Sequence, residues 1–129
     1  MKINKIKVMI ERYIDEVFEF TANPKNTPLW ISQIKEETSD EYPPKIGATY
    51  KNIGEKGNCN SCVVVELEKN KIFTLKCSDN NYFVRYLYKK LDDNKTELQY
   101  FEWVKEGKIE KPFTQEVLQN LKRVMEISR

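Results

Sequence analysis

The stretch that decides the fold of this chain is its last one, PFTQEVLQNLKRVMEISR, residues 112–129. Its apolar residues recur at the three- and four-residue spacing that places them on one stripe of an α-helix. Pro112 suits a first helical turn, where the N–H that proline lacks would have no partner inside the helix. The stripe consists of Phe113, Val117, Leu118, Leu121, Val124 and Met125. The pattern therefore predicts a long amphipathic helix, around which the preceding strands would curve.

Most of the chain before this helix has the alternating pattern of β-strands. Residues 3–11 predict a half-buried first strand. Helical spacing with early acidic residues predicts a short helix over residues 14–20, and a second short helix would end near residue 31. About six antiparallel strands are expected in all. Helices at the two ends of a run of hairpins indicate an α+β fold rather than a parallel α/β sheet.

Two hairpins are predicted between residues 61 and 104. A three-residue loop at 69–71, with Asn70 in the left-handed region, joins apolar residues to one another. Its predicted pairs are Leu67 with Phe73, Val65 with Leu75 and Val63 with Cys77. A three-residue loop at 92–94 predicts pairs of Tyr88 with Leu98, Tyr86 with Tyr100 and Val84 with Glu102. This register turns the tyrosines inward and places Arg85, Phe101 and Trp103 on the outer face.

Length and composition predict one globular domain over residues 1–129. The net charge of +2 comes from 22 basic and 20 acidic residues that are interleaved along the chain, so no basic stripe indicates a nucleic-acid partner. No apolar run reaches the roughly 20 residues of a membrane helix, and the N-terminus lacks the pattern of a signal peptide. Three cysteines, an odd number, favour free thiols in a reducing compartment. The cytoplasm is the expected location.

The chain contains no histidine, which excludes catalytic triads and histidine-ligated metal sites. Cys59 and Cys62 have the spacing of a redox or zinc pair, but residues three apart in a strand lie about 10 Å apart on opposite faces. Neither a metal nor a cofactor is therefore expected. The acidic run of residues 36–41 predicts a solvated face or a protected edge strand.

Three segments resemble the START-like, or SRPBCC, superfamily. They are ERYIDEVFEFTANP at residues 11–24, Leu29-Trp30 with the later IGATY at residues 46–50, and NLKRVME at residues 120–126. The resemblance spans nearly the whole chain and implies a helix-grip fold, in which a curved antiparallel sheet of six to seven strands wraps the C-terminal helix. It also implies an apolar cavity between them. Members of this superfamily bind lipids, sterols, polyketides or other small apolar molecules, some are cyclases or hydrolases, and others are co-chaperones that bind partner proteins.

The candidate ligand-binding residues follow from the inward face and the helix stripe. Buried tyrosines need partners for their hydroxyl groups, and a cavity that holds water or ligand would supply them. A filled aromatic core is the competing interpretation. The candidates are Trp30, Tyr50, Phe73, Leu75, Tyr86, Tyr88, Tyr100, Glu102, Phe113, Val117 and Leu121. The predicted entrance lies at the loops of residues 52–58 and 79–81.

Glu102 is the single weak candidate for catalysis. An inward carboxylate is costly to bury and could act as a general base beside a tyrosine. Its competing interpretation is a carboxylate near the strand end that reaches solvent or pairs with a lysine.

The leading hypothesis is a protein that holds a small apolar or amphipathic ligand, lipid- or polyketide-like, in the cavity. The first alternative is a cyclase-, dehydratase- or hydrolase-type enzyme. The second is a protein-interaction module or homodimer that uses an exposed outer patch of Leu87, Phe101 and Trp103.

Overall fold

The computed structural model describes residues 3–77 and 80–127 of the chain. Its elements in chain order are β1 (Ile3–Ile10), α1 (Ile14–Ala22), a 3₁₀ turn (Pro24–Asn26), α2 (Thr27–Trp30), β2 (Ile34–Ser39), β3 (Thr49–Gly54), β4 (Cys59–Glu68), β5 (Ile72–Cys77), β6 (Tyr82–Asp92), β7 (Lys95–Val104) and α3 (Gln115–Ile127).

The seven strands form one antiparallel sheet in the order β1-β7-β6-β5-β4-β3-β2. The sheet curls into a half-barrel, and the long C-terminal helix packs against β1 and α2. The predicted α+β helix-grip architecture is therefore confirmed, including the two short helices after the first strand. None of the helices within residues 3–77 and 80–127 has both the length and the hydropathy needed to cross a membrane.

Helix α3 buries the predicted apolar stripe but begins later than predicted. Leu118 and Leu121 are fully buried, and Met125 is 5% exposed. Phe113 lies before the helix, because its backbone N–H donates to Glu102 and its carbonyl oxygen accepts from Asn4. These bonds hold Phe113 outside the helix, which begins at Gln115.

The predicted register of the second hairpin is confirmed, with Tyr88 opposite Leu98, Tyr86 opposite Tyr100 and Val84 opposite Glu102. Its turn is shorter than predicted, because an irregularity between Lys90 and Asp92 lets the strands continue to Asp92 and Lys95.

The predicted register of the first hairpin is correct next to its loop and wrong further along the strands. Asn70 has a φ of 64°, and Leu67 pairs with Phe73 as predicted. A bulge between Val64 and Glu66 then shifts the register by one residue. One extra residue reverses the face of every side chain that follows. The observed pairs are Val64 with Leu75, Val63 with Lys76 and Cys62 with Cys77.

This shift also corrects the expectation of free thiols. Cys62 and Cys77 lie directly opposite each other on β4 and β5, with their Cα atoms 4.1 Å apart, and they form a disulfide. Cys59 is exposed and free. The cysteine count therefore no longer supports the cytoplasmic location that was expected from it.

Candidate functional site

A cavity of about 110 Å³ lies on the concave side of the sheet, beside the short helices. It combines aromatic walls with a few polar groups. Its lining residues are Thr21, Thr27, Ile31, Ile34, Glu37, Tyr50, Asn52, Cys62, Phe73, Leu75, Cys77, Tyr82, Val84, Tyr86, Tyr100 and Phe113.

The cavity adjoins a second pocket of about 230 Å³ that forms its mouth. The two share Ile34, Asn52, Tyr82 and the disulfide cysteines, and the mouth adds Gln33, Gly54, Asn58 and Asn60. Asn52, Gly54 and Asn58 from the loop predicted as the entrance, residues 52–58, line this second pocket. Of the other predicted loop, Asp79 lies outside the described residues.

Six of the eleven predicted site residues line the cavity: Tyr50, Phe73, Leu75, Tyr86, Tyr100 and Phe113. Trp30, Tyr88, Glu102, Val117 and Leu121 do not. Val117 and Leu121, the two candidates on α3, face the interior between α3 and its neighbours, where Leu121 is fully buried. The helix α3 is therefore not the cavity wall that the sequence predicted.

Trp30 and Tyr88 support the lining residues from behind. The Trp30 indole meets the rings of Tyr86 and Phe113 edge-on, with centroids 6.5 and 6.4 Å apart. Tyr88 shares a 2.6 Å hydrogen bond with the Thr21 hydroxyl. These contacts orient the rings that line the cavity without placing either residue in it.

The aromatic wall is continuous from β3 to the segment before α3. Ring centroids lie 5.6 Å apart between Tyr50 and Phe73 and 5.7 Å between Phe73 and Tyr86. They lie 5.3 Å apart between Tyr86 and Tyr100 and 4.5 Å between Tyr100 and Phe113. Edge-to-face and stacked contacts of this kind stabilise a wall beyond simple area burial.

Most tyrosine hydroxyls find partners within the protein. Tyr50 donates to the carbonyl oxygen of Ala22 at 2.7 Å, and Tyr82 donates to Glu102. The Tyr100 hydroxyl interacts with that of Tyr82. The Tyr86 hydroxyl makes no hydrogen bond within the described residues, even though the residue is buried, with 6% of its surface exposed. Burial raises the pKa of Tyr86 well above its ordinary value, so the hydroxyl keeps its proton and remains a donor.

Glu102 is fully buried, and both of its carboxylate oxygens accept hydrogen bonds. Oε2 accepts from Asn4 Nδ2 at 2.7 Å and from the Phe113 N–H at 2.5 Å, and Oε1 accepts from the Tyr82 hydroxyl. The predicted inward orientation is correct, but the carboxylate neither reaches solvent nor pairs with a lysine. It ties β1, β6 and the start of the α3 segment together, which is a structural role.

Glu37 is the cavity carboxylate that the sequence analysis missed. Its Oε1 accepts a 2.6 Å hydrogen bond from the Thr27 hydroxyl, and it pairs across the strands with Asn52. Burial raises the pKa of Glu37 above its ordinary 4.5, against the lowering effect of its bonds with Thr27 and Asn52. The carboxylate also raises the pKa of Tyr86, which faces the same space. A partly desolvated carboxyl in a cleft is a typical functional group.

A bulge explains why Glu37 points inward. The register between β2 and β3 shifts between Ile34 and Glu36. Strict alternation from Ile34 would turn Glu36 inward and leave Glu37 in solvent. The extra residue instead puts Ile34 and Glu37 on the same face, and both line the cavity. The predicted solvated acidic face is therefore wrong at this one position.

Replacing Glu37 by glutamine is expected to stabilise the protein at neutral pH. The raised pKa means that the folded state binds the proton more tightly than the unfolded state. The wild-type carboxyl therefore favours folding most below its unfolded pKa, and this contribution is lost as the pH rises through the folded pKa. The gain from glutamine should be largest at neutral pH and shrink in acid, as measured by urea unfolding.

The control for this prediction is Glu36→Gln, because Glu36 is exposed on the same strand. A Glu37→Gln protein that is less stable than the wild type at neutral pH would contradict it.

The outer face of the sheet is less open than predicted. Phe83 and Trp103 stack with centroids 5.2 Å apart, and Arg85 lies over Trp103 at 5.0 Å. Arg85 lies on the outer face as predicted and forms a salt bridge there, at 2.6 Å to Glu66. Lys5 covers Phe101. The residues predicted to form an exposed apolar patch, Leu87, Phe101 and Trp103, are half-buried.

The curled seven-stranded sheet, its two short helices and the C-terminal helix define the START-like, helix-grip class of fold. No protein-family model and no curated protein sequence matches the chain. Solved structures do match it. The protein XoxI from Bacillus cereus is similar with a TM-score of 0.77 at 11% identity, over 100% of this chain and 99% of that one.

Two further structures connect the fold to named groups. A START superfamily protein from Mycobacterium smegmatis matches with a TM-score of 0.67 at 15% identity, over 96% of this chain and 94% of that one. The di-domain ARO/CYC BexL from the BE-7585A biosynthetic pathway matches with a TM-score of 0.67 at 9% identity, over 81% of this chain and 36% of that one. At these identities the similarity shows the fold alone.

Proposed function

We propose that this protein binds a small amphipathic molecule in the cavity between the sheet and the short helices. The observation that carries the proposal is the combination, in one concave pocket, of a continuous aromatic wall and polar groups at one end. Ligand sites in proteins have this composition, with apolar walls and a few convergent polar groups. The fold shared with START and ARO/CYC proteins supports the proposal.

The apolar part of the ligand would lie against the rings. Phe73, Leu75 and Val84 contribute carbon surface to the cavity, and the disulfide adds to it. Each Å² of apolar surface removed from water stabilises the complex by about 25 cal/mol. This term favours a ligand with a compact hydrocarbon or aromatic body.

The polar part of the ligand would lie near β2 and β3. The Tyr86 hydroxyl offers a donor that has no partner among the described residues, and Glu37 offers an acceptor. Asn52 lines both the cavity and the mouth, so its amide can contact a group that lies between them. These groups would fix the orientation of the ligand.

The volumes limit the size of the ligand. The cavity of about 110 Å³ and the mouth of about 230 Å³ together reach the low end of the roughly 300–1,000 Å³ range of ligand pockets. A small ring or short chain fits this space. A long lipid chain would require side chains such as Leu75 and Phe113 to move.

The cavity is tested by nuclear magnetic resonance titration with cyclohexanol, cyclohexylamine and cyclohexanecarboxylate, which share one apolar body. At least one of them should shift amide resonances of cavity-lining residues in a saturable manner. Leu75→Trp should abolish these shifts, because Leu75 lines the cavity and the larger side chain fills it.

The matched control is Leu87→Trp on the neighbouring strand β6, since Leu87 lies on the outer face and is not a lining residue. It should leave the shifts unchanged. The proposal fails if none of the three compounds perturbs the lining residues, or if Leu75→Trp binds as well as the wild type.

A further inference from the structure

The charge that lines the cavity is negative. Among the described residues that line it, Glu37 is the single charged side chain. The mouth adds the amides of Gln33, Asn58 and Asn60 and no charge within the described residues. A ligand that brought a negative charge into this space would face a carboxylate without an offsetting cation. The electrostatics therefore favour a ligand of neutral or positive charge.

The aromatic wall of the cavity favours a positively charged ligand over a neutral one. Six aromatic rings line the cavity: Tyr50, Phe73, Tyr82, Tyr86, Tyr100 and Phe113. The faces of aromatic rings carry negative potential and attract organic cations, most strongly where water is excluded. An inorganic ion would lose its hydration shell without gaining enough oxygen ligands here, whereas a quaternary ammonium group has no N–H bonds, is weakly hydrated and matches an aromatic surface.

The dimensions agree with a cationic head group and a short arm. The inner volume of about 110 Å³ admits a compact group, and the amide-lined mouth of about 230 Å³ suits an uncharged polar remainder. Glu37 lines the inner space, and its cross-strand partner Asn52 lines both the inner space and the mouth.

We propose that the ligand is a small organic cation, with its ammonium group among the aromatic rings beside Glu37 and its uncharged remainder at the mouth. This inference rests on the proposed function of the cavity and names the chemical class of its ligand. The bound cation would stabilise the ionised form of Glu37, which burial otherwise disfavours. Binding should accordingly release protons at a pH near the pKa of the free protein's Glu37.

The test uses two probes of nearly identical shape that differ in charge, choline and its carbon isostere 3,3-dimethylbutan-1-ol. Isothermal titration calorimetry should show that choline binds roughly tenfold or more tightly than the alcohol, as expected for a desolvated cation–π site with a carboxylate. Glu37→Gln should remove most of this preference by weakening choline binding, while the affinity for the alcohol stays the same. Glu36→Gln should retain the full preference.

Three results would overturn the inference. If the alcohol binds as tightly as choline, the site selects shape and not charge, and the proposed small-molecule function stands without this ligand class. If Glu37→Gln keeps the full preference for choline, Glu37 does not recognise the cation. If neither probe binds, the ligand class is wrong, and the titration with the three cyclohexyl compounds decides separately whether the cavity binds ligands at all.

Discussion

Glu102→Leu is expected to destabilise the protein by about 3 kcal/mol or more. The substitution removes the acceptor of several buried hydrogen-bond donors, and the cost of desolvating these donors is then uncompensated. The Phe113 N–H loses its acceptor, and the Asn4 amide and the Tyr82 hydroxyl each lose one. These donors come from three separate parts of the chain, so the loss would loosen the junction between β1, β6 and the segment before α3. Thermal unfolding should shift downward by roughly 10 °C.

Glu102→Gln separates the hydrogen bonds from the charge. Its remaining oxygen can accept from Asn4 and Phe113, and its amide can donate to the Tyr82 hydroxyl, so we expect a loss of only about 1 kcal/mol. Glu97→Gln on the same strand is the matched control, since Glu97 is half-buried, its ion pair with Lys7 is long at 3.9 Å, and glutamine can still accept the 2.8 Å hydrogen bond from the Gln99 amide. A Glu102→Leu protein as stable as the wild type would disprove the structural role assigned to this carboxylate.

Leu121→Ala is expected to destabilise the protein by about 2–5 kcal/mol, because it leaves a cavity under the centre of α3. Leu121 is fully buried and belongs to the core, yet it does not line the ligand cavity. Chemical unfolding should therefore show a large loss of stability. At temperatures where the variant is folded, its affinity for the cavity probes should equal that of the wild type.

The control on the same helix is Ile127→Ala. Ile127 is 73% exposed, so its truncation should change stability by no more than about 0.5 kcal/mol. If Leu121→Ala instead changed probe affinity as strongly as Leu75→Trp, then α3 would be a wall of the cavity after all.

The sequence by itself determined the order of elements, the α+β class and the tyrosine face. Periodicity carries this information wherever a strand or helix is regular, because the faces of an element follow from residue spacing alone. The second hairpin is regular over its central residues, so Tyr86, Tyr100 and Glu102 were placed correctly from their alternation. The helix stripe around Leu121 was placed correctly for the same reason.

Tertiary structure decided the polar end of the site and the cysteine pairing. A bulge in β2 turns Glu37 into the cavity, and a bulge in β4 brings Cys62 opposite Cys77. Each bulge inserts one residue and reverses the parity of the strand beyond it. Whether a strand bulges depends on how its neighbours and the short helices pack against it, and no local spacing records that.

The C-terminal helix shows both what the sequence determined and what the tertiary structure decided. Its apolar stripe follows from the sequence, but its first residue does not, because Glu102 and Asn4 hold Phe113 outside the helix through hydrogen bonds from other elements of the fold. The sequence alone thus determined that a helix would be gripped by the sheet. The long-range hydrogen bonds decided that Phe113, and not the helix, would face the cavity, because partners so far apart in sequence meet only when the chain has folded.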